Sequence, residues 1–126
     1  MNVPDNLKYT PDHEWLRVEG DEAYVGISEF AQSELGDIVF LEVDTIDEEL
    51  DTMEAFGTIE AVKTVSDMYM PVGGVVLEFN ELLESAPETM NNDPYGDGWV
   101  IKIKVTKPED IDKLLTADQY KEQIGA

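Results

Sequence analysis

Ala55-Phe-Gly-Thr-Ile-Glu-Ala-Val-Lys63-Thr-Val-Ser-Asp-Met-Tyr-Met-Pro-Val-Gly-Gly74 is the stretch on which the fold turns. Two runs rich in β-branched and aromatic residues flank a single lysine. Thr58, Ile59 and Val62 precede it, and Thr64, Val65 and Tyr69 follow. Such runs favour strands, so the spacing predicts a hairpin with Lys63 at or near its turn and its ammonium in water. Gly73-Gly74, after Pro71, permits a tight turn or a close backbone approach. Val75 to Phe79 reads as the next strand.

The charge pattern isolates this lysine. Between Arg17 and Lys102 it is the only basic residue, and the window from Val18 to Ile101 holds 21 Asp and Glu residues. An amine alone in so acidic a field is either an ion-pair partner or a reactive handle. Over the whole chain, 29 acidic residues against 8 basic ones give a formal net charge of −21. Phosphate backbones and anionic membrane surfaces would be repelled, so neither nucleic acid nor membrane is an expected partner. The same surface can steer association with basic patches on other proteins, or simply maintain solubility.

A length of 126 residues suffices for one domain with its own core. With no cysteine there is no disulfide framework, thiolate metal site or thiol nucleophile. Histidine occurs once, at His13, which argues against a multi-histidine metal site. No apolar run approaches a membrane span. The opening Met-Asn-Val-Pro-Asp has neither signal-peptide nor transit-peptide character, so the expected location is cytoplasmic.

Outward from the central hairpin, Asn2 to Asp12 reads as an extended polar arm. His13 to Glu19 and Glu22 to Ile27 form a hairpin about Gly20-Asp21. Ser28 caps a short helix from Glu29 to Leu35, with Phe30, Ala31 and Leu35 inward and Gly36 ending it. Asp37 to Val43 reads as a core strand, and Asp44 to Asp51 as a solvated acidic connector. Short helical turns broken by Pro87 fill Asn80 to Met90, and turn formers crowd Asn91 to Gly98. Trp99 to Val105 alternates as a strand. Pro108 to Leu115 suggests a helix, and Thr116-Ala-Asp-Gln119 has capping-box spacing for another that Gly125 stops. Leu114, Leu115, Tyr120 and Ile124 can dock these on the sheet.

Four blocks in this order resemble the H protein family of the glycine cleavage system, the lipoyl carriers. Tyr9-Thr-Pro-Asp-His13-Glu14-Trp15 is similar to that family's opening strand. Ser28 to Asp37 resembles its short helix and following turn. Phe56-Gly57 with Ile59-Glu60-Ala61-Val62-Lys63 looks like its lipoylation site. Asp93-Pro94-Tyr95-Gly96 with Gly98-Trp99 resembles its late signature loop. The likeness spans nearly the whole chain. Two departures stand out: the connector Asp44-Thr-Ile-Asp-Glu-Glu-Leu50 lacks a glycine often found there, and Asp12 and Glu34 are acidic where the family varies.

The resemblance implies a mainly β fold: a flattened β sandwich, or barrel-sandwich hybrid, of the biotinyl/lipoyl type with short helices and a C-terminal helix. It implies one lipoyl-bearing domain over residues 1–126, with a central lipoyl-type unit at about 22–105 and a helical segment at about 108–125. Lys63 would carry lipoic acid as an amide. Glu60 and Gly74 would help lipoate-attaching enzymes accept the domain, and Glu14 and Asp67 would hold the protonated amine of the loaded arm. The chain would be a carrier, not an enzyme. It would take the aminomethyl group of glycine from the pyridoxal-phosphate glycine decarboxylase (P protein) to the tetrahydrofolate-dependent aminomethyltransferase (T protein), then present its dithiol to dihydrolipoyl dehydrogenase (L protein). A lipoyl or octanoyl donor that relays lipoate to 2-oxoacid dehydrogenase complexes would share every one of these residues. A Schiff-base enzyme using Lys63 would instead need a desolvated amine.

Overall fold

The computed structural model describes residues 1–126. The central hairpin forms where its β-branched runs place it: β6 spans Ala55–Ala61, β7 spans Val65–Tyr69, and Val62-Lys63-Thr64 joins them. With β4 (Ile38–Glu42) they make a three-stranded antiparallel sheet in the order β4-β6-β7. The second sheet has six strands. β1 is Lys8–Tyr9, β2 Glu14–Glu19, β3 Glu22–Ile27, β5 Glu49–Leu50, β8 Gly74–Phe79 and β9 Ile101–Val105, in the order β1-β2-β3-β9-β8-β5. The chain is thus mainly β, two antiparallel sheets with short helices and a C-terminal helix.

The main core draws on both sheets: Leu16, Val25, Ile27, Leu41, Phe56, Ile59, Met68, Met70, Val76, Ile101 and Ile103 are all buried in it. The α-helices are α1 (Glu29–Leu35), α2 (Leu82–Ser85), α3 (Thr89–Asn92) and α4 (Ala117–Ile124), and a second cluster gathers Val3, Leu7, Tyr9 and Trp15 against Ala117 and Tyr120 of α4. Tyr9 and Tyr120 stack there with centroids 4.6 Å apart. α4 begins in the capping box its sequence encodes, Thr116 with Gln119, and ends at Gly125 in the left-handed conformation.

Four expectations are corrected, the first being the solvated connector Asp44 to Asp51, whose Glu49–Leu50 pairs with β8 and buries Leu50 in the core. Asn2 to Asp12 is a docked segment, not a free arm, because Val3, Leu7 and Tyr9 are buried and Leu115 pairs with Tyr9. The strand in Asp37 to Val43 is only half core. It lies at a sheet edge, its register shifts between Ile38 and Phe40, and Val39 and Phe40 face outward while Ile38 and Leu41 are buried. Pro108–Lys113 is a 3-10 helix, held by a hydrogen bond from Gly73 N to the buried Asp110 carboxylate. The connector that lacks a glycine makes its turn with Asp47 at φ +70°, a conformation that Asp tolerates better than most side chains.

Candidate functional site

The hairpin tip is short and tied down. Ala61 N–H donates to Thr64 O across the turn at 2.8 Å, and Val62 N–H donates to Asp37 O at 3.0 Å, fastening the tip to the start of β4. Lys63 between these anchors is exposed and makes neither an ion pair nor a side-chain hydrogen bond, although the sequence around it is rich in Asp and Glu. Its side chain lies over Gly36, where an added Cβ would come 3.5 Å from Lys63 Cε and 3.9 Å from Nζ. Gly36 has φ +80° and ends α1 (Glu29–Leu35), which Ser28 caps through a bond from Ala31 N–H.

One residue before Gly36, Leu35 lines a cleft of about 280 Å³. Its apolar walls are Ile27, Phe30, Ala31, Leu35, Ile59 and Met68; its polar groups are Asp12, His13, Glu14, Glu34, Ser66 and Asp67. Cleft and lysine therefore adjoin through the end of α1. Glu14 and Asp67, far apart in sequence, meet here because β2 and β7 face one another across the two sheets.

Glu14 is the most unusual group. It is 2% exposed. One carboxylate oxygen accepts from Thr10 Oγ1 at 2.6 Å and the other from Tyr69 N–H at 3.3 Å, so it links β2 of one sheet to β7 of the other. Burial pushes its carboxyl up to about 7, against hydrogen bonds that favour the anion. No Lys or Arg pairs with it. Asp67, by contrast, is an exposed residue on β7, paired in register with Thr58.

Glu60 is exposed on β6, directly across from Phe40 on one side and Val65 on the other. Phe40, Glu60 and Val65 form an outward row over all three strands, with Phe40 54% and Val65 63% exposed. Gly74 lies in the other sheet and is not in the cleft. A Cβ there would meet Lys104 O at 2.5 Å, so its place requires glycine for close packing of β8 on β9.

Sequence reasoning passed over some partners of this site. Thr10 and Tyr69 bond Glu14, and Gly36 underlies the lysine; all three fall in stretches the sequence singles out, but local pattern gives none of them these partners. Tyr120 follows the apolar face of α4 together with Ala117 and Ile124, which reveals its burial but not what its hydroxyl bonds. His13 has φ +77° and accepts a structural position against Phe30 and Tyr120, as its lack of a catalytic partner suggests. Tyr95 is likewise structural: its hydroxyl donates to Asn2 O and accepts from Glu29 N–H.

Comparison with known proteins agrees with this geometry. The family model for the glycine cleavage H-protein matches residues 7–126. The chain belongs to the glycine cleavage H-protein family. That family is the lipoyl carrier of the glycine cleavage system. The glycine cleavage system H protein of Bacteroides fragilis is 55% identical over 126 residues, covering all of both chains. That of Salinibacter ruber is 56% identical over 122 residues, 97% of this chain and 98% of the relative. A crystal structure of a glycine cleavage system H protein from Mycobacterium marinum matches with a TM-score of 0.89 at 36% identity, covering 98% of this chain and 100% of that one. No helix is long and apolar enough to cross a membrane.

Proposed function

We propose that Lys63 carries lipoic acid through an amide on its Nζ, and that residues 1–126 act as one lipoyl-bearing carrier unit. The observation that supports this most directly is an exposed amine without a partner, held on a fastened hairpin tip beside a cleft with apolar walls and acidic ends. An amide-forming enzyme needs an accessible amine, and Lys63 presents one. The cofactor would supply the dithiolane sulfur that a chain without cysteine lacks.

The residues fit such a group. Ile27, Phe30, Leu35, Ile59 and Met68 offer the apolar surface an alkyl chain requires. Glu14 and Asp67 offer negative charge to a protonated amine at the arm's end. Glu14, buried and without a counter-cation, discriminates most strongly, because a cation there would compensate a carboxylate that burial disfavours. Seating the amine in the cleft also withdraws it from bulk water, which protects a hydrolytically fragile aminomethyl cargo. Asp12 and Glu34 add negative charge at the mouth.

Attachment would be recognised on the outer row Phe40-Glu60-Val65 beside the lysine, with Gly74 acting through the packing of the neighbouring sheet. The proposed partners are the lipoate-attaching enzyme and then the P, T and L proteins, in a cytoplasmic setting. The net charge of −21 favours docking faces rich in Lys and Arg on those partners. Intact-mass measurement of protein from lipoate-fed cells tests the central assignment. A single lipoyl increment that maps to Lys63 supports it, and an increment on Lys102 or Lys104 instead would remove it.

A further inference from the structure

A second polar system meets the cleft from behind, and its hydrogens can be assigned. His13 Nδ1 lies 2.8 Å from the Tyr120 hydroxyl, and Tyr120 Oη lies 2.6 Å from Ser28 Oγ. These groups come from three separate parts of the fold: the start of β2, α4, and the cap of α1. Ser28 is fully buried, and its Oγ already accepts from Ala31 N–H at 3.1 Å. The only remaining neighbour for the serine hydrogen is Tyr120 Oη. A buried hydroxyl hydrogen left without an acceptor is costly, so Ser28 donates to Tyr120. The tyrosine hydrogen must then point the other way, and its one acceptor is His13 Nδ1. That nitrogen therefore carries no hydrogen, and the ring proton sits on Nε2.

We infer that Tyr120 is a positioning residue that receives a hydrogen bond from Ser28, passes one to His13, and so keeps the cleft's single imidazole neutral in its Nε2–H form. The consequence for the cleft rests on the arm-docking function proposed above. An imidazolium here would compete with a cationic arm head for the same carboxylates; a neutral ring brings no positive charge to that competition. The groups that face His13 pull in opposite directions. Asp12 beside it, Glu34 on α1, Glu14 on β2 and Asp67 on β7 line the same cleft and favour the charged ring. Burial and Tyr120 on α4 oppose them. The net direction for His13 is downward from its ordinary value, with desolvation the largest cause and Asp12 and Glu34 working against it. Tyr120 itself is pushed up by burial and so keeps the hydrogen it donates. Protonating His13 Nδ1 would put two hydrogens between it and Tyr120 Oη unless the chain reversed, and reversal would strand the Ser28 hydrogen.

Because the chain contains one histidine, long-range proton–nitrogen correlation NMR on ¹⁵N-labelled protein reads this directly, without assignment ambiguity. The parent protein with Lys63 unmodified should show a bare Nδ1 and a protonated Nε2 at neutral pH. Tyr120→Phe retains the ring that stacks on Tyr9 and removes only the hydroxyl. It should raise the His13 titration midpoint and populate the Nδ1–H form. Ser28→Ala removes the source of direction and should likewise mix the two tautomers. An Nδ1–H ring or an imidazolium in the parent at neutral pH would overturn the inference, as would a Tyr120→Phe spectrum and midpoint identical to the parent's. If Tyr120→Phe does not fold, the parent spectrum and Ser28→Ala still decide. These measurements use no lipoyl group, so a correct tautomer in a protein whose arm never seats would refute the docking reading and leave this one standing.

Discussion

Two of the chain's β-hairpin turns, β2–β3 and β6–β7, are built for different purposes. Between β2 and β3, Gly20-Asp21 turns the chain with Gly20 at φ +69°, and an added Cβ would touch nothing. That turn needs backbone freedom and is indifferent to side chains. Between β6 and β7, Val62-Lys63-Thr64 contains no glycine and no residue with positive φ, and it is anchored to β4 through Val62 N–H. Its side chains are the anomaly: Val62 is 75% exposed, and Val65 next to it 63%. Folding gains little from two valines in water. A scattered exposed apolar residue needs no explanation, but two near an unpaired lysine, Val65 in line with Phe40, support the proposal that attachment is recognised on this surface.

Lys63→Arg should have the largest effect. Arginine offers no acylable amine, so the lipoyl increment in intact mass should vanish completely. Stability should stay within about 0.5 kcal/mol, because the side chain is exposed and unpaired. A lipoyl increment that persists in the variant would end the assignment.

The next effect in size is at the cleft. Glu14 is raised from 4.5 to about 7 by burial, so the folded state holds its proton more tightly than the unfolded chain does. Below about pH 4.5 the group is neutral in both states and nothing is lost. As pH rises through about 7 the folded protein must carry a buried anion, which destabilises it by about 3 kcal/mol relative to the neutral form. Glu14→Gln removes that loss. Urea unfolding should therefore show the variant gaining on the parent between pH 4.5 and 8, with little difference at pH 4. At the same time, retention of a cationic arm should weaken. A stability difference that is flat across that range would show that Glu14 ionises in the fold as readily as in the unfolded chain, so that burial does not penalise its anion and a cation seated beside it would relieve nothing.

How much of this is legible in the sequence depends on distance along the chain. Both hairpins, the Ser28 and Thr116 caps, and the stops at Gly36 and Gly125 are written in neighbouring residues, and they form where local chemistry puts them. The outward face of Val39 and Phe40 is not legible, because β-propensity cannot show that a strand sits at an edge with a shifted register. The docking of residues 3–9 depends on Tyr120, over a hundred positions away. Glu14 reads as a surface acid in its own strand; only the three-stranded sheet, bringing Tyr69 N–H to its oxygen, makes it buried. The lysine was visible because its signal is local. The depth of the cleft beside it was not, because α1, β2 and β7 build it together.

Gly20→Ala probes the other turn. With no steric contact to relieve, its cost is backbone strain alone, roughly 1–2 kcal/mol, measurable as a lower urea midpoint. Lipoate attachment should be unchanged wherever the protein remains folded. If attachment falls in step with stability, hairpin geometry in general, rather than the β6–β7 tip in particular, governs recognition.

Val62→Ser has the smallest expected effect on the fold and the most to say about the comparison. The side chain is largely in water already, so stability should move by no more than about 0.5 kcal/mol. Burying a valine against a partner is worth about 1.5 kcal/mol, so its loss should lower the kcat/KM of lipoate attachment by roughly tenfold. The two turns then separate cleanly: Gly20→Ala changes stability and spares attachment, and Val62→Ser does the reverse. Should Val62→Ser leave the attachment rate untouched, the exposed valines would be incidental to recognition. The amine's position over Gly36 and the fastening of the tip to Asp37 would then have to carry the specificity without them.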